Sequence, residues 1–204
     1  MSDLVRLLER KSGDALGRPV TGAERDSLYK YLNLLIKWQR SQRLVGSDDP
    51  SWIVDNVIVD SLLFSRAVPA GVRSVADVGS GAGIPGIPLA IVLPQVEVTL
   101  IEARQKRASF LAAAIRELTL RNCRLVNHRL EDVGHQQLGA RVDAVVMRCA
   151  GSPTALVPQV LQILAPGGVV VASGPPKRTV IGLGSWLEIE GPDRTRLFWV
   201  YHAG

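Results

Sequence analysis

The residues best suited to chemistry form one glycine-rich segment near the middle of the chain. Gly79, Gly81, Gly83 and Gly86 follow directly on an apolar run that ends in Ala76-Asp77-Val78. Glycine lets the backbone turn sharply, and it lets a ligand approach the amino terminus of the following helix closely. The segment contains no lysine or arginine, so nothing in it requires a phosphate group. It therefore predicts a strand, a loop that contacts a ligand, and a helix.

Two cofactors are compatible with this loop. Gly81-x-Gly83-x-x-Gly86 fits the dinucleotide fingerprint, which would make the protein a nicotinamide-dependent oxidoreductase. Asp77 ahead of the first glycine instead follows the pattern of class I S-adenosylmethionine-dependent methyltransferases. Pro85 favours the second interpretation, because a pyrophosphate loop usually needs a free N–H at that place. A tight turn that binds nothing is the remaining alternative.

Two acidic segments follow the loop at the ends of predicted strands. Glu102 ends the second strand, where an acid can accept hydrogen bonds from ribose hydroxyls, so both cofactors would use it. After the third strand, the segment from Leu130 through Glu131 to Asp132 lies where class I methyltransferases usually contact adenine. Helix capping is the alternative role for Glu131 and Asp132.

Composition limits the class of protein and of site. The chain has 204 residues, 47% of them hydrophobic, and a formal net charge of +5. These values predict one domain with a small appendage and a weak preference for polyanions. The sequence has no apolar run of membrane-spanning length, no signal peptide and only two cysteines, so we expect a cytoplasmic protein. The three histidines have no ligand spacing, so we expect no metal site.

The periodicity of apolar residues predicts an α/β fold in two parts. Residues 1–68 follow helical spacing and include a capping box at Thr21-x-x-Glu24, which predicts a helical cap. Residues 69–204 alternate strands with helices, which predicts a mostly parallel, doubly wound, Rossmann-like sheet. The last two predicted strands flank Gly191-Pro192-Asp193 and form an antiparallel hairpin. The predicted strands are Val75–Val78, Val96–Ile101, Arg124–Val126, Val142–Met147, Gly168–Ala172, Trp186–Ile189 and Arg196–His202.

Several segments together resemble the bacterial 16S ribosomal RNA guanine-N7 methyltransferase family, also called glucose-inhibited division protein B. The most specific of them is Asp77-Val78-Gly79-x-Gly81-x-Gly83-Ile84-Pro85-Gly86-Ile87-Pro88-Leu89-Ala90. The resemblance covers almost the whole chain. The other matching segments are Tyr31-Leu32-x-Leu34-Leu35-x-Lys37-Trp38, Asp49-Pro50, Asp60-Ser61-Leu62, Lys106-Arg107-x-x-Phe110-Leu111, Arg116-Glu117-Leu118, Val145-Val146-x-Arg148 and Leu164-x-Pro166-Gly167-Gly168.

The resemblance implies an S-adenosylmethionine-dependent enzyme that methylates N7 of a guanine in 16S ribosomal RNA. It implies that Arg148 lies close to the transferred methyl group and is the candidate catalytic residue. An ion pair of Arg148 with Asp77 or Asp143 at the strand end is its alternative role. The predicted cofactor-binding residues are Gly79, Gly81, Gly83, Ile84, Glu102, Leu130, Glu131 and Arg148.

The chain departs from the family pattern on the expected substrate side. Arg43-Leu44-Val45 replaces the usual Asn-Leu-Thr, and Asn56-Val57 replaces the usual Arg-His. Cys149 follows Arg148 where alanine is usual, Met147 stands for the usual serine, and Ser173 stands for a usual lysine. A paralogue with another acceptor and a non-catalytic RNA-binding assembly factor therefore remain alternatives to the enzyme.

The expected partner is small-subunit ribosomal RNA, bound by a protein that we expect to be a monomer. Basic side chains would supply the contacts to phosphate groups, although a solvated surface charge is the alternative for each of them. The candidates are Arg40, Arg43, Arg104, Lys106, Arg107, Lys177 and Arg178.

Overall fold

A seven-stranded sheet forms the centre of the protein. The structure is a computed structural model that describes residues 3–148, 153–173 and 182–204. The strands are β1 (Ser74–Val78), β2 (Glu97–Ile101), β3 (Cys123–Val126), β4 (Val142–Met147), β5 (Leu164–Ser173), β6 (Ser185–Glu190) and β7 (Thr195–His202). The strand order is β3-β2-β1-β4-β5-β7-β6. The first five strands in this order are parallel, and β7 runs antiparallel to both of its neighbours, β5 and β6.

Helices precede the sheet and connect its parallel strands. The amino-terminal helices are α1 (Asp3–Leu16), α2 (Gly22–Gln42), α3 (Pro50–Ile53), a π-helical segment (Val54–Val59), α4 (Asp60–Leu62) and α5 (Phe64–Ala67). The connecting helices are α6 (Gly86–Val92), α7 (Gln105–Leu118), α8 (His135–Leu138) and α9 (Val157–Ile163). Short 3-10 turns lie at Leu130–Asp132 and Pro153–Leu156. In these described residues, no helix is long and apolar enough to cross a membrane.

The parallel strands are buried on both faces, which explains why they are continuous apolar runs. Helices α1 to α5 share one core cluster with side chains from one face of the sheet, among them Leu8, Leu32, Val75 and Leu100. A second cluster on the opposite face includes Val145 and is formed with α9. The sheet therefore separates two cores, and the amino-terminal helices complete the first.

Two sets of polar contacts hold the amino-terminal helices in place. Thr21 and Glu24 cap the start of α2 reciprocally, as their spacing predicts. The ammonium group of Lys11 is almost fully buried and donates hydrogen bonds to Asp55 at 2.6 Å and to Asp193 at 2.7 Å. Burial alone would lower the pKa of Lys11, but the two carboxylates raise it above its ordinary value. Lys11 thus ties α1 to the π-helical segment and to the turn of the β6–β7 hairpin.

The sequence-based elements agree with the structure, with two corrections. Apolar spacing predicts a helix that begins at about Ser51 and places Ile53, Val57, Ile58 and Leu62 on one side, but a π-helical segment interrupts it. The sequence also predicts a helix at about Thr154–Leu164, and the observed helix is shorter, because Pro158 lies in its first turn and the chain before it forms a 3-10 turn. Strand β5 accordingly begins at Leu164, ahead of the expected Gly168.

Candidate functional site

The glycine loop runs from the carboxyl end of β1 to the start of α6. Gly79, Gly81 and Gly83 all have positive φ angles, of 72°, 57° and 84°. Residues with a side chain rarely adopt a positive φ, which explains why glycine occupies these positions. No atom lies within 4 Å of the position that a Cβ on Gly79 would occupy, and Gly79 is exposed. The loop therefore presents the bare backbone of Gly79 to open space, as a ligand-binding turn requires.

Asp77 holds the two ends of the loop together. Its buried carboxylate accepts a hydrogen bond at 3.0 Å from the backbone N–H of Gly86, at the start of α6. A Cβ at Gly86 would lie 2.7 Å from that carboxylate oxygen, so only glycine permits the approach. The other oxygen, Oδ1, is buried and has no hydrogen-bond partner among the described residues. Burial raises the pKa of Asp77 to about 7.

Glu102 braces the same loop from the end of β2. Its carboxylate accepts hydrogen bonds from the backbone N–H groups of Gly81 at 2.9 Å and Arg104 at 2.7 Å. Each carboxylate oxygen has two lone pairs, so the group can accept further hydrogen bonds from a ligand. The side-chain amide of Asn127 donates at 2.6 Å to the backbone carbonyl of Glu102 and so links β3 to this position. Glu102 therefore lies beside the glycine loop, as the sequence predicts.

The remaining predicted cofactor residues border the same edge of the sheet. Ile84 is half-buried within the glycine loop. Leu130 and Glu131 lie in the 3-10 turn after β3, with Leu130 half-buried and Glu131 exposed. Because the carboxyl ends of parallel strands meet at one edge, the structure brings the residues after β1, β2, β3 and β4 together there.

Arg148 follows β4, and it does not form the ion pair with Asp77 or Asp143 that was the alternative to a catalytic role. Asp143 instead accepts hydrogen bonds from the backbone of Arg73 and Ser74, at the opposite end of the sheet. The guanidinium of Arg148 donates to the backbone carbonyl of Asn56 at 2.7 Å and lies 3.5 Å from Asp60. Burial lowers the pKa of Arg148, although Asp60 opposes that shift. The pairing with Asp77 or Asp143 is therefore wrong.

Tyr31 was not assigned a role from the sequence. Its side chain is fully buried, and its hydroxyl donates a 2.6 Å hydrogen bond to the carbonyl of Ala82 in the glycine loop. Burial raises the pKa of Tyr31 well above its ordinary value, and the charge of Asp77 adds to that rise. Helix α2 therefore contacts the cofactor loop directly. The one signal for it was Tyr31 within the family-like segment of α2.

The described basic candidates, which we call the basic face, lie at or just beyond the end of α2 and the start of α7. Trp38 packs edge to face on Phe110 at 5.6 Å, and Lys30 donates to the backbone carbonyl of Glu117. These contacts make α2 and α7 antiparallel, so the end of α2 lies beside the start of α7. The face contains Arg40, Arg43, Arg104, Lys106 and Arg107, all exposed except the half-buried Arg107. The other two candidates, Lys177 and Arg178, lie outside the described residues, as does Cys149.

Part of the sequence matches an established family model. Residues 24–174 match the model described as rRNA small subunit methyltransferase G. The chain is similar to a protein of Anaeromyxobacter dehalogenans named Ribosomal RNA small subunit methyltransferase G, with 40% identity over 78% of this chain and 73% of that protein. A protein of Xanthomonas campestris with the same name is 36% identical over 71% of this chain. This chain spans 66% of the latter's length.

Solved structures show the same fold. A methyltransferase of Aquifex aeolicus, described as S-adenosylmethionine dependent, superimposes with a TM-score of 0.53 at 17% identity. The match covers 76% of this chain and 93% of the other. At this level of identity the likeness concerns the fold alone.

Proposed function

Because this chain belongs to the rRNA small subunit methyltransferase G family, we propose that it methylates N7 of a guanine in the 16S RNA of the small ribosomal subunit, with S-adenosylmethionine as methyl donor. The observation that carries the proposal is the exposed backbone of Gly79 in a loop braced by Asp77 and Glu102. That loop fits the donor because it offers backbone groups and carboxylate acceptors, and none of its own residues is the cation that a pyrophosphate usually binds.

The residues fit the parts of the donor separately. The open side of Gly79 would receive its amino acid portion, and Glu102 would accept hydrogen bonds from the ribose hydroxyls. The buried, unpartnered Oδ1 of Asp77 is a further acceptor at the loop. Gly81, Gly83 and Ile84 would shape the loop, while Leu130 and Glu131 would border the adenine. Arg148 would lie beside the methyl group.

The proposed chemistry requires positioning and no proton transfer. When bound, S-adenosylmethionine supplies an electrophilic methyl group on a sulfonium. The lone pair of guanine N7 forms the new N–C bond while the C–S bond breaks, and the electron pair of that bond goes to sulfur. N7 carries no proton, so no general base is needed, and catalysis rests on holding two reactants in line. Arg148 would position the base and exclude water.

The basic face of α2 and α7 supports an RNA substrate. Its cations would neutralise phosphate groups next to the loop, on the same side of the molecule as the donor. We also infer that the protein acts as a monomer in the cytoplasm, where ribosomal RNA is found. In the part of the chain that the structure describes, no cluster of three or more His, Cys, Asp or Glu side chains could hold a metal ion.

Mass spectrometry of 16S RNA tests the proposal. RNA from a strain that lacks this gene is incubated with the purified protein and S-adenosylmethionine, and the nucleosides are analysed. We expect one new N7-methylguanosine. A donor-binding protein that leaves the RNA unchanged would be a paralogue with another acceptor. A protein that binds RNA but shows no donor binding by calorimetry would be the assembly factor.

A further inference from the structure

Three arginine side chains converge on one buried carboxylate, beyond the carboxyl end of β5. Asp60, in α4, accepts two hydrogen bonds from Arg196 of β7, one of them at 2.8 Å from Nε. Arg148 and Arg194 each lie 3.5 Å from Asp60 Oδ2. One negative charge thus faces three positive charges. The cluster therefore has an excess of cationic N–H donors over carboxylate acceptors.

The π-helical segment supplies the other half of the cluster. Asn56 lies one turn before Asp60, so both residues are on the same helix face. The backbone carbonyl of Asn56 accepts from Arg148 at 2.7 Å, and its side-chain oxygen accepts from Arg194 at 2.6 Å. Such π-helical stretches often occur at functional sites. Here the segment fixes two arginines relative to the end of β4.

A cavity of about 220 Å³ opens beside this cluster. Cationic residues line one side, and apolar side chains with a serine line the other. The volume is below the roughly 300–1,000 Å³ usual for drug-sized ligands, which suits a single base rather than a longer stretch of RNA. The lining residues are Asp60, Phe64, Arg148, Ser173, Arg196, Leu197 and Phe198.

Arg148 connects this cavity to the cofactor loop. One of its terminal nitrogens, Nη1, is buried and has no hydrogen-bond partner among the described residues. A buried guanidinium N–H without a partner is costly, so such a group is expected to meet an acceptor when a ligand is bound. The charge of Arg148 also lowers the pKa of Tyr31, and the hydroxyl of Tyr31 bonds the glycine loop.

We propose that this cavity receives the guanine that accepts the methyl group, that Arg196 contacts this base together with Arg148, and that Asp60 is the positioning residue that holds both arginines. The inference rests on the proposed function and adds the acceptor pocket to it. The guanine carbonyl O6 would accept from the guanidinium groups, and N7 would stay free to attack.

The excess of hydrogen-bond donors in the pocket would select guanine over adenine. Guanine presents an acceptor at position 6, whereas adenine presents an amino group that needs an acceptor. Three guanidinium groups face one carboxylate here, so the pocket has more hydrogen-bond donors than acceptors and fits the O6 of guanine better than the amino group of adenine. The apolar side, with Phe64 packed edge to face on Phe198 at 4.8 Å, would cover the plane or edge of the base.

Steady-state methylation of the same 16S RNA tests the pocket. The variants are Arg196→Gln, Arg196→Lys and Asp60→Asn, and the control is Arg66→Gln, an exposed arginine on α5 that bonds the carbonyl of Glu190 outside the cavity. We expect both Arg196 variants and Asp60→Asn to lower kcat/KM for RNA by about tenfold or more, as for loss of a charge-assisted contact. Their affinity for S-adenosylmethionine, measured by calorimetry, should change less than about twofold, as should the activity of the control.

The positioning role of Asp60 has its own measurement. If Asp60 acts through the arginines, the double variant with Asp60→Asn and Arg196→Gln should lose little more activity than the worse single variant. If the two residues acted independently, the fold-losses of the single variants would multiply in the double variant. Thermal melting checks that each variant is folded. If Arg196→Gln is unstable, Arg196→Lys takes its place, because it keeps the positive charge. Folded Arg196 variants with unchanged kinetics would overturn the pocket alone. A wild-type protein without N7-methylguanosine product would overturn the proposed function and the pocket together.

Discussion

At the scale of single residues, the site is defined by backbone conformation and by buried carboxylates. Gly79 combines a positive φ with empty space beside it, whereas Gly86 is needed because Asp77 lies too close for a side chain. These two reasons for glycine have different consequences. A substitution at Gly79 would fill the space proposed for the ligand, and a substitution at Gly86 would disrupt the loop itself.

Replacing Gly79 by aspartate should abolish cofactor binding and methyl transfer. The new side chain would occupy the open space at the loop and bring a negative charge there. The positive φ should also cost stability, about 1–2 kcal/mol. Gly71 offers a matched control, because it has a φ of 87° and nothing within 4 Å, but lies before β1. Calorimetry should find donor binding intact in Gly71→Asp with a similar loss of stability, and equal binding by both variants would contradict the role of Gly79.

Asp77 should make the stability of the free protein depend on pH. Its pKa is raised from 3.8 to about 7, so the folded state holds a proton that the unfolded state has lost. Its contribution is complete below about pH 4 and falls as pH rises towards 7, by at most about 1.4 kcal/mol per pH unit. Urea unfolding between pH 4.5 and 7.5 should show this slope in the wild type and not in Asp77→Asn.

Asp143 provides the control for that pH dependence. Its partial burial would raise its pKa, but hydrogen bonds from the backbone of Arg73 and from Ser74 lower it below the usual range. Its contribution to stability is therefore lost only as pH falls below about 4. Asp143→Asn should keep the slope between pH 4.5 and 7.5, and a slope that persists in Asp77→Asn would show that another group causes it.

At the scale of elements, helix α2 contacts the glycine loop that we propose as the cofactor site. Apolar spacing and the capping box predict a helix that begins after Thr21 and fades around Arg40 to Val45, and α2 runs from Gly22 to Gln42. Spacing could not reveal that Tyr31 reaches the glycine loop, because that contact joins residues 51 positions apart. The π-helical segment was missed because it is a rare, six-residue stretch with i→i+5 hydrogen bonds, and the spacing of apolar residues does not show which backbone hydrogen bonds form.

Removing the hydroxyl of Tyr31 should loosen the loop. In Tyr31→Phe the buried carbonyl of Ala82 loses its donor, which should cost about 1–3 kcal/mol of stability. We expect the dissociation constant of S-adenosylmethionine to rise several-fold while the helix content stays the same. Tyr29→Phe, on the same helix with a half-buried ring, serves as the control. Unchanged donor affinity in a destabilised Tyr31→Phe would show that the contact is structural only.

At the scale of the whole molecule, the amino-terminal helices and the sheet share one core. Leu8 and Leu32 belong to the same cluster as Val75 and Leu100. The division into a cap of residues 1–68 and a domain of residues 69–204 stays a prediction. The antiparallel packing of α2 on α7 has a clearer consequence, since it gathers basic residues from two distant parts of the sequence on one face beside the loop.

The salt dependence of RNA binding measures that face. If its cations contact phosphates, each replacement by alanine should reduce the slope of log affinity against log salt by about 0.7–0.9. Arg40→Ala and Lys106→Ala test the two helices separately in a filter-binding titration. Arg10→Ala, on α1 and near Asp14, is the control. A slope that stays constant in Arg40→Ala and Lys106→Ala would place the RNA on another surface.

The sequence by itself determined the succession of strands and helices along the chain, the glycine loop, and the acids that follow it. These features depend on local periodicity and on the backbone conformation of neighbouring residues. It could not determine the partner of Arg148, the contact from Tyr31 or the cluster around Asp60. Asp60 and Arg196 stand 136 positions apart and meet only because the β6–β7 hairpin folds back against α4. Such pairings depend on how elements pack in three dimensions, so only the tertiary structure decided them.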